Sequence, residues 1–144
     1  MPPVFVPDAS VILKWVLRFR EDSAEKAQLL RSAFLEGKCR LVVPSLWYFE
    51  VGNILGRKEP GLAPALLRAL LDLSLEEQDP GLILDVSLEL MSTLKVTFYD
   101  AAYHATAIRH EGMLITADDL YFRKATSCGH MIRLCDWSWR LAEP

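Results

Sequence analysis

Short apolar runs alternate with helix-like stretches along the chain, and this alternation predicts an α/β fold built on a parallel sheet covered on both faces. Three observations carry that expectation. The runs at 40–44 (Arg-Leu-Val-Val-Pro) and 113–117 (Met-Leu-Ile-Thr-Ala) are short and apolar without alternation, as strands buried on both faces are. The segments between strands place apolar residues at helical spacing, with glycine or proline near their ends. A strand that runs straight into an acid and then a helix occurs twice, at 4–8 (Val-Phe-Val-Pro-Asp) and at 113–118.

The bulk properties suit such a fold. A chain of 144 residues fits one domain, 1–144, large enough to bury a core without disulfides or metal staples. Half the residues are hydrophobic and a quarter charged, which excludes wholesale disorder. With a net charge of -3 there is no global positive field, so a polyanion would have to be held by a local basic patch or through metal ions. Cys39, Cys128 and Cys135 form no paired framework and no Cys-x-x-Cys spacing, which predicts free thiols and a reducing cytoplasm. The N-terminus lacks a basic n-region, and no apolar run approaches membrane-spanning length, so a soluble cytoplasmic protein without membrane association is expected.

Taken in order, the first strand ends at Asp8 and a helix follows over 9–16. The segment 23–37 has Ser23 as a cap, Ala27, Leu30 and Phe34 as its apolar face, and Gly37 as its stop. The second strand, 40–44, ends on a proline, and Ser45 is expected to cap a helix over 46–58. Within it Glu50 stands among aromatic and aliphatic residues, where a carboxylate needs a partner or a route to water; Asn53, three residues on, shares its face. The helix over 62–75 carries only Arg68 and Asp72 as charges, which predicts burial on more than one side or a partner surface. A polar connection at 76–80 has room for a short edge strand. The helix over 81–95 is then read with Leu84, Leu88 and Met91 on its apolar face. Asp100 sits in the first turn of a helix that Gly112 stops, the strand 113–117 leads into Asp118 and Asp119, and a helix (120–126) and a last strand (131–135) precede Trp137 and Trp139.

An acid before a helix is commonly no more than a cap. The repetition points further, because in open parallel sheets ligands bind at the carboxyl ends of strands near the point where strand order reverses. Asp8 and Asp118 lie at such ends, and helices beginning at that edge bring Asp100 and Glu50 within reach. Thr116 shares a face with Asp118, while Asp119 points away or caps the next helix. Crowded carboxylates repel unless a cation lies among them, and hard oxygen donors without clustered His or Cys favour Mg²⁺ or Mn²⁺. Two such ions roughly 3.5 to 4 Å apart activate water against a phosphodiester and stabilise the leaving oxygen.

In order and spacing, Pro7-Asp8-Ala-Ser10, Pro44 with Glu50-x-x-Asn53, Tyr99-Asp100-Ala-Ala-Tyr103 and Leu114-Ile-Thr-Ala-Asp118 resemble PIN-domain ribonucleases of the VapC toxin type. The resemblance covers essentially the whole chain. It implies a three-layer α/β/α sandwich with a mostly parallel central sheet of about five strands. It also implies an Mg²⁺- or Mn²⁺-dependent endoribonuclease acting on single-stranded or structured RNA, active as a homodimer and blocked by a small antitoxin protein. Matched residue by residue, Asp8, Glu50, Asp100 and Asp118 are the catalytic and metal-binding acids. Ser10, Asn53 and Thr116 are supporting polar residues, with Asp119 the alternative to Asp118. Family mechanism has a metal-bound water attacking phosphorus in line and leaves a 5′ phosphate.

Other residues invite competing readings. His104, one turn after Asp100, is a packed or rim residue or faces the cleft, and His110 lies on another face. Cys128, His130 and Cys135 lack the fourth ligand of a zinc site. Lys14, Arg18, Arg20, Arg57, Lys58, Arg109, Arg123 and Lys124 are candidate phosphate guides or simply solvated charges. Phosphotransferases with an aspartyl nucleophile would want Asp-x-Asp after the first strand, where residue 10 is Ser10. Receiver domains would want paired acids there and a late lysine. The non-enzymatic alternative is a catalytically silent PIN-like module that recruits RNA or a protein.

Overall fold

The structure is a computed structural model, and it describes residues 1–17 and 23–139. Five parallel strands, β1 (Val4–Pro7), β2 (Arg40–Pro44), β3 (Glu76–Gln78), β4 (Met113–Thr116) and β5 (Met131–Arg133), form one sheet in the order β3-β2-β1-β4-β5. Seven α-helices among the described residues connect them: α1 (Ala9–Ile12), α2 (Ala24–Leu35), α3 (Trp47–Lys58), α4 (Ala63–Leu71), α5 (Leu84–Leu94), α6 (Phe98–Arg109) and α7 (Asp119–Ala125). This is the expected α/β/α sandwich, with every strand pair parallel.

The chain builds the sheet outward from β1 in one direction through β2 to β3, then returns to the other side of β1 for β4 and β5. Strand order thus reverses between β1 and β4, where Phe5 pairs with Met113 and Pro7 with Ile115. Right-handed crossovers assign the links before the return to one face and those after it to the other. Helix α6 lies across β1, β2 and β4, with α5 packed on its back. Residues 101–107 are therefore buried all round, and the run of alanines there lets α6 sit close between sheet and helix. Gly112 is a second close approach: a Cβ there would stand 2.4 Å from the Val4 carbonyl oxygen, so only glycine fits before β4.

Several local expectations are corrected. Ser23 precedes α2 in the left-handed region (φ 64°) and makes no cap hydrogen bond; Ser45 lies in a turn, and α3 starts after Leu46 without a side-chain cap. Helix α4 fully buries only Ala63 and Leu70, with Leu66 and Leu67 packed partly against the core beside them, so burial on more than one side fails and Leu71 stays exposed. The buried side of α5 is Ser87 and Leu90, in register with Ile83 before it, while Leu84 and Leu88 are exposed at 45% and 48%. Ser87 is tolerated there because its hydroxyl donates to the Ile83 carbonyl at 2.7 Å. Beyond β5, Trp137 is buried edge-on against Phe5 with ring centroids 5.9 Å apart. Cys39, Cys128 and Cys135 are free thiols, and no helix among the described residues is long and apolar enough to cross a membrane.

Candidate active site

Asp8 follows β1 and caps α1, its Oδ1 accepting from the Val11 N–H at 3.3 Å. A carboxylate acting only as a cap has no reason to leave water, yet Asp8 is only 9% exposed. Burial pushes its carboxyl up to about 6; hydrogen bonds from Ser10, Thr116 and Val11 oppose the shift, and the Asp100 charge adds to it. The Ser10 hydroxyl donates to Asp8 Oδ1 and accepts from the Ala117 N–H at 2.9 Å. Thr116, buried at the end of β4, hydrogen-bonds Asp8 and accepts from the Asp118 N–H at 2.9 Å. Ser10 and Thr116 therefore bridge the carboxyl ends of β1 and β4.

Asp118 caps α7, its Oδ1 accepting from the N–H groups of Leu120 and Tyr121 at 3.0 and 3.1 Å. Both bonds converge on one oxygen, which leaves Oδ2 without a hydrogen-bond partner among the described residues. Of the adjacent acids, Asp118 is half-buried and its charge bears on Asp100. Asp119 is exposed, and it lines a cleft of about 320 Å³ with Lys14, Thr116 and Arg133.

Asp100 lies in the first turn of α6, its N–H donating to the Thr97 hydroxyl at 3.2 Å. Burial, then Asp118, raises its carboxyl above the ordinary range, against Thr97 and the Lys124 cation. Glu50 does not simply reach for water: it is half-buried, and the Tyr103 hydroxyl donates to its Oε1 at 3.0 Å. Its carboxyl is raised by burial and by Asp100, with the Tyr103 bond opposing. Burial first, then Glu50, Asp8 and Asp100 push the Tyr103 phenol up as well.

The Asp100 charge bears on Asp8 and Glu50, and that of Asp118 bears on Asp100, so the four acids, each from a different element, stand within electrostatic reach of Asp100 along one edge of the sheet. Among the described residues, no three His, Cys, Asp or Glu stand close enough to hold an ion between them. The donors are all hard oxygens, which fits Mg²⁺ or Mn²⁺, and Mg²⁺ is commonly held by one or two carboxylates with water completing its octahedron. The acids taken one or two at a time suit that mode, and among the described residues they form no closed cage.

The remaining candidates sort themselves by contact. Asn53 is exposed, and among the described residues the side-chain bond to Glu50 comes from Tyr103 and not from Asn53. His104 is fully buried, with Nδ1 2.8 Å from the Tyr121 hydroxyl and Nε2 2.8 Å from the Gly129 carbonyl oxygen. A carbonyl can only accept, so Nε2 carries the proton and Nδ1 accepts from Tyr121: a packed neutral imidazole, not a cleft residue. His110 meets Gln78 at 2.6 Å, and His130 donates from Nδ1 to the Gly112 carbonyl at 3.0 Å. Lys14 is buried, and Arg57, Lys58, Arg109, Arg123 and Lys124 are exposed; Arg18 and Arg20 lie outside the described residues. The sequence reading missed Tyr103 as the partner of Glu50, although its place three residues after Asp100, on one helix face, was the available signal.

A parallel α/β/α sheet with carboxylates near the carboxyl ends of its central strands places this chain among α/β domains with an acidic edge at the point where strand order reverses. The family model "PIN domain" matches residues 5–126, and the chain belongs to the PIN domain family. Domains of this family are generally nucleases and usually use divalent metals. The crystal structure of PAE2754 from Pyrobaculum aerophilum is similar in fold, with a TM-score of 0.65 at 23% identity over 93% of this chain and 92% of that one. None of the curated proteins matches the sequence.

Proposed function

We propose that this PIN domain is an endoribonuclease that hydrolyses phosphodiester bonds of single-stranded RNA with Mg²⁺ or Mn²⁺, and that it is the VapC-type toxin of a toxin-antitoxin pair. The observation that carries the reading is the placement of Asp8 and Asp118 at the carboxyl ends of β1 and β4, joined through Ser10 and Thr116 where the strand order reverses, with Asp100 in electrostatic reach of both and of Glu50. Carboxylates near one another repel, and a divalent cation held by one or two of them, with water completing its shell, would relieve that repulsion and supply the Lewis acid that activates water against a phosphodiester. Asp8, Glu50, Asp100 and Asp118 would hold the metal, with Ser10 and Thr116 fixing the carboxylates.

The toxin reading adds a homodimer and a small antitoxin partner. The exposed leucines of α5 and α4, namely Leu84, Leu88 and Leu71, supply apolar surface for such contacts. A second reading, a silent module that binds RNA or protein, draws on the absence of a closed three-ligand group among the described residues. Incubation with single-stranded RNA decides between them. Cleavage that requires Mg²⁺ or Mn²⁺ and stops with EDTA is expected; binding without cleavage in either metal would leave the silent module.

A further inference from the structure

We propose that the open trough at the start of α3, lined by Phe49, the residue before Glu50, seats an unpaired nucleobase of the substrate strand, stacked on Phe49 and read along its edge by Glu77; this rests on the nuclease reading above. The trough, about 490 Å³, is lined by Ser45, Leu46, Tyr48, Phe49, Leu71 and Glu77. Its size suits a nucleotide-sized ligand. It opens where β2 ends and α3 begins, one strand over from Asp8, and Phe49 is the immediate chain neighbour of Glu50.

Phe49 is 73% exposed. The Tyr48 ring meets it at 79° with centroids 5.6 Å apart, an edge-to-face contact that occupies at most one face of the Phe49 ring. The open aromatic surface is what a base needs, and a base stacked on protein has left its own duplex stack, so the site selects single strands. Tyr99, 52% exposed, stands one turn before Tyr103 on α6, the residue whose hydroxyl reaches Glu50. It adds a second exposed ring near the same acids.

Glu77 gives the trough its polar edge. Its Oε2 accepts from the Trp47 indole N–H at 2.8 Å, which fixes the carboxylate, and Oε1 has no hydrogen-bond partner among the described residues. A carboxylate only accepts, so it favours a base edge rich in N–H donors, and guanine presents two adjacent ones. The same negative charge turns phosphates away from the trough, so it is the base and not the phosphodiester that enters it.

The test measures anisotropy of fluorescein-labelled hexauridylate, and of the same hexamer carrying one guanosine, on the full chain in EDTA and with Ca²⁺. Phe49→Ala and Phe49→Leu should weaken binding by roughly fivefold to a hundredfold, and Phe49→Trp should restore it. Glu77→Gln, which can still accept from Trp47, should erase the preference for the guanosine hexamer. Wild-type affinity in Phe49→Leu would overturn the proposal, as would an absence of wild-type binding in both conditions. So would light scattering in which Phe49→Ala dissociates an oligomer while oligonucleotide affinity stays unchanged, marking an interface between copies. Failure of the wild type to cleave in Mg²⁺ or Mn²⁺ would count against the nuclease reading alone, because these affinities are read without cleavage.

Discussion

The Tyr103 hydroxyl donates to Glu50 Oε1 across 3.0 Å, and that one bond ties α6, which bears Asp100, to α3 at the acidic edge of the sheet. Tyr103→Phe keeps the buried ring and removes the donor, leaving a half-buried carboxylate without it. A hydrogen bond to a charged group contributes about 2 kcal/mol, so the urea midpoint of unfolding should fall by a corresponding amount. The Tyr103 bond also holds the Glu50 carboxyl down against burial and Asp100. The acidic limb of the cleavage profile should therefore move to higher pH in Tyr103→Phe; an unmoved limb would separate Glu50 ionisation from activity.

Asp8 makes stability depend on pH in an uncommon direction for an acid. Unfolded, its carboxyl ionises near 3.8; folded, at about 6, because burial disfavours the charge. Between those values the folded state holds the extra proton, so this contribution to stability falls as pH rises from about 4 to about 6 and stays low above that. The full effect is about 3 kcal/mol. Asp8→Asn should abolish cleavage, remove this slope and unfold at higher urea than wild type at pH 7 in EDTA. A wild-type slope in the variant would show that the titration belongs elsewhere.

The two ends of the site differ in how far the sequence reveals them. Asp8 and Asp118 were legible because each ends a short buried strand, and a parallel sheet puts such ends on one edge. The contact between Glu50 and Tyr103 was not, since it depends on α3 and α6, 53 residues apart at those positions, meeting across that edge. On α5 hydrophobicity pointed to Leu84 and Leu88, whereas packing buried Ser87 and Leu90, because a serine that bonds its own helix can be placed in a core. Ser23 and Ser45 have the composition of caps, but neither lies where its hydroxyl can meet a first-turn N–H.

His104 links α6 to α7 through Tyr121, whose N–H is one of the two capped by Asp118. His104→Leu strands the Tyr121 hydroxyl and the Gly129 carbonyl, which should cost about 2 to 3 kcal/mol in urea unfolding. Burial lowers the imidazole below its ordinary value, so the unfolded chain takes the proton first as pH falls. The His104 contribution is therefore complete above about 6.5 and is lost on acidification below it, a slope that should vanish in the variant. Metal-dependent cleavage should persist well below the melting temperature; its complete loss in a folded variant would give His104 a direct role.

The exposed pair Leu84 and Leu88 stands one turn apart on the outer side of α5. If that side is the contact between copies, wild type should scatter light as a dimer at micromolar concentration, and Leu84→Glu with Leu88→Glu should scatter as a monomer of unchanged thermal stability. A monomeric wild type would remove the proposed dimer. A dimer indifferent to both substitutions would move the interface elsewhere, α4 being the other exposed apolar helix.

Asp118 and Asp119 separate the role of a cap from that of a metal ligand. Asn at position 118 keeps a side-chain oxygen that accepts from Leu120 and Tyr121, so Asp118→Asn should unfold like wild type, whereas Asp118→Ala should lose about 1 kcal/mol with the cap. Cleavage should respond to charge instead. Loss of the carboxylate beside Asp100 should lower kcat/KM by at least about 100-fold in both variants, beyond the roughly 10- to 100-fold typical of losing a supporting hydrogen-bond partner. Asp119, exposed and lining the cleft with Lys14 and Arg133, has no such tie to Asp100, and Asp119→Asn should stay within about tenfold of wild type. The reverse outcome, an inactive Asp119→Asn beside an active Asp118→Asn, would reassign the fourth acid to Asp119 and draw the substrate path into the cleft with Lys14.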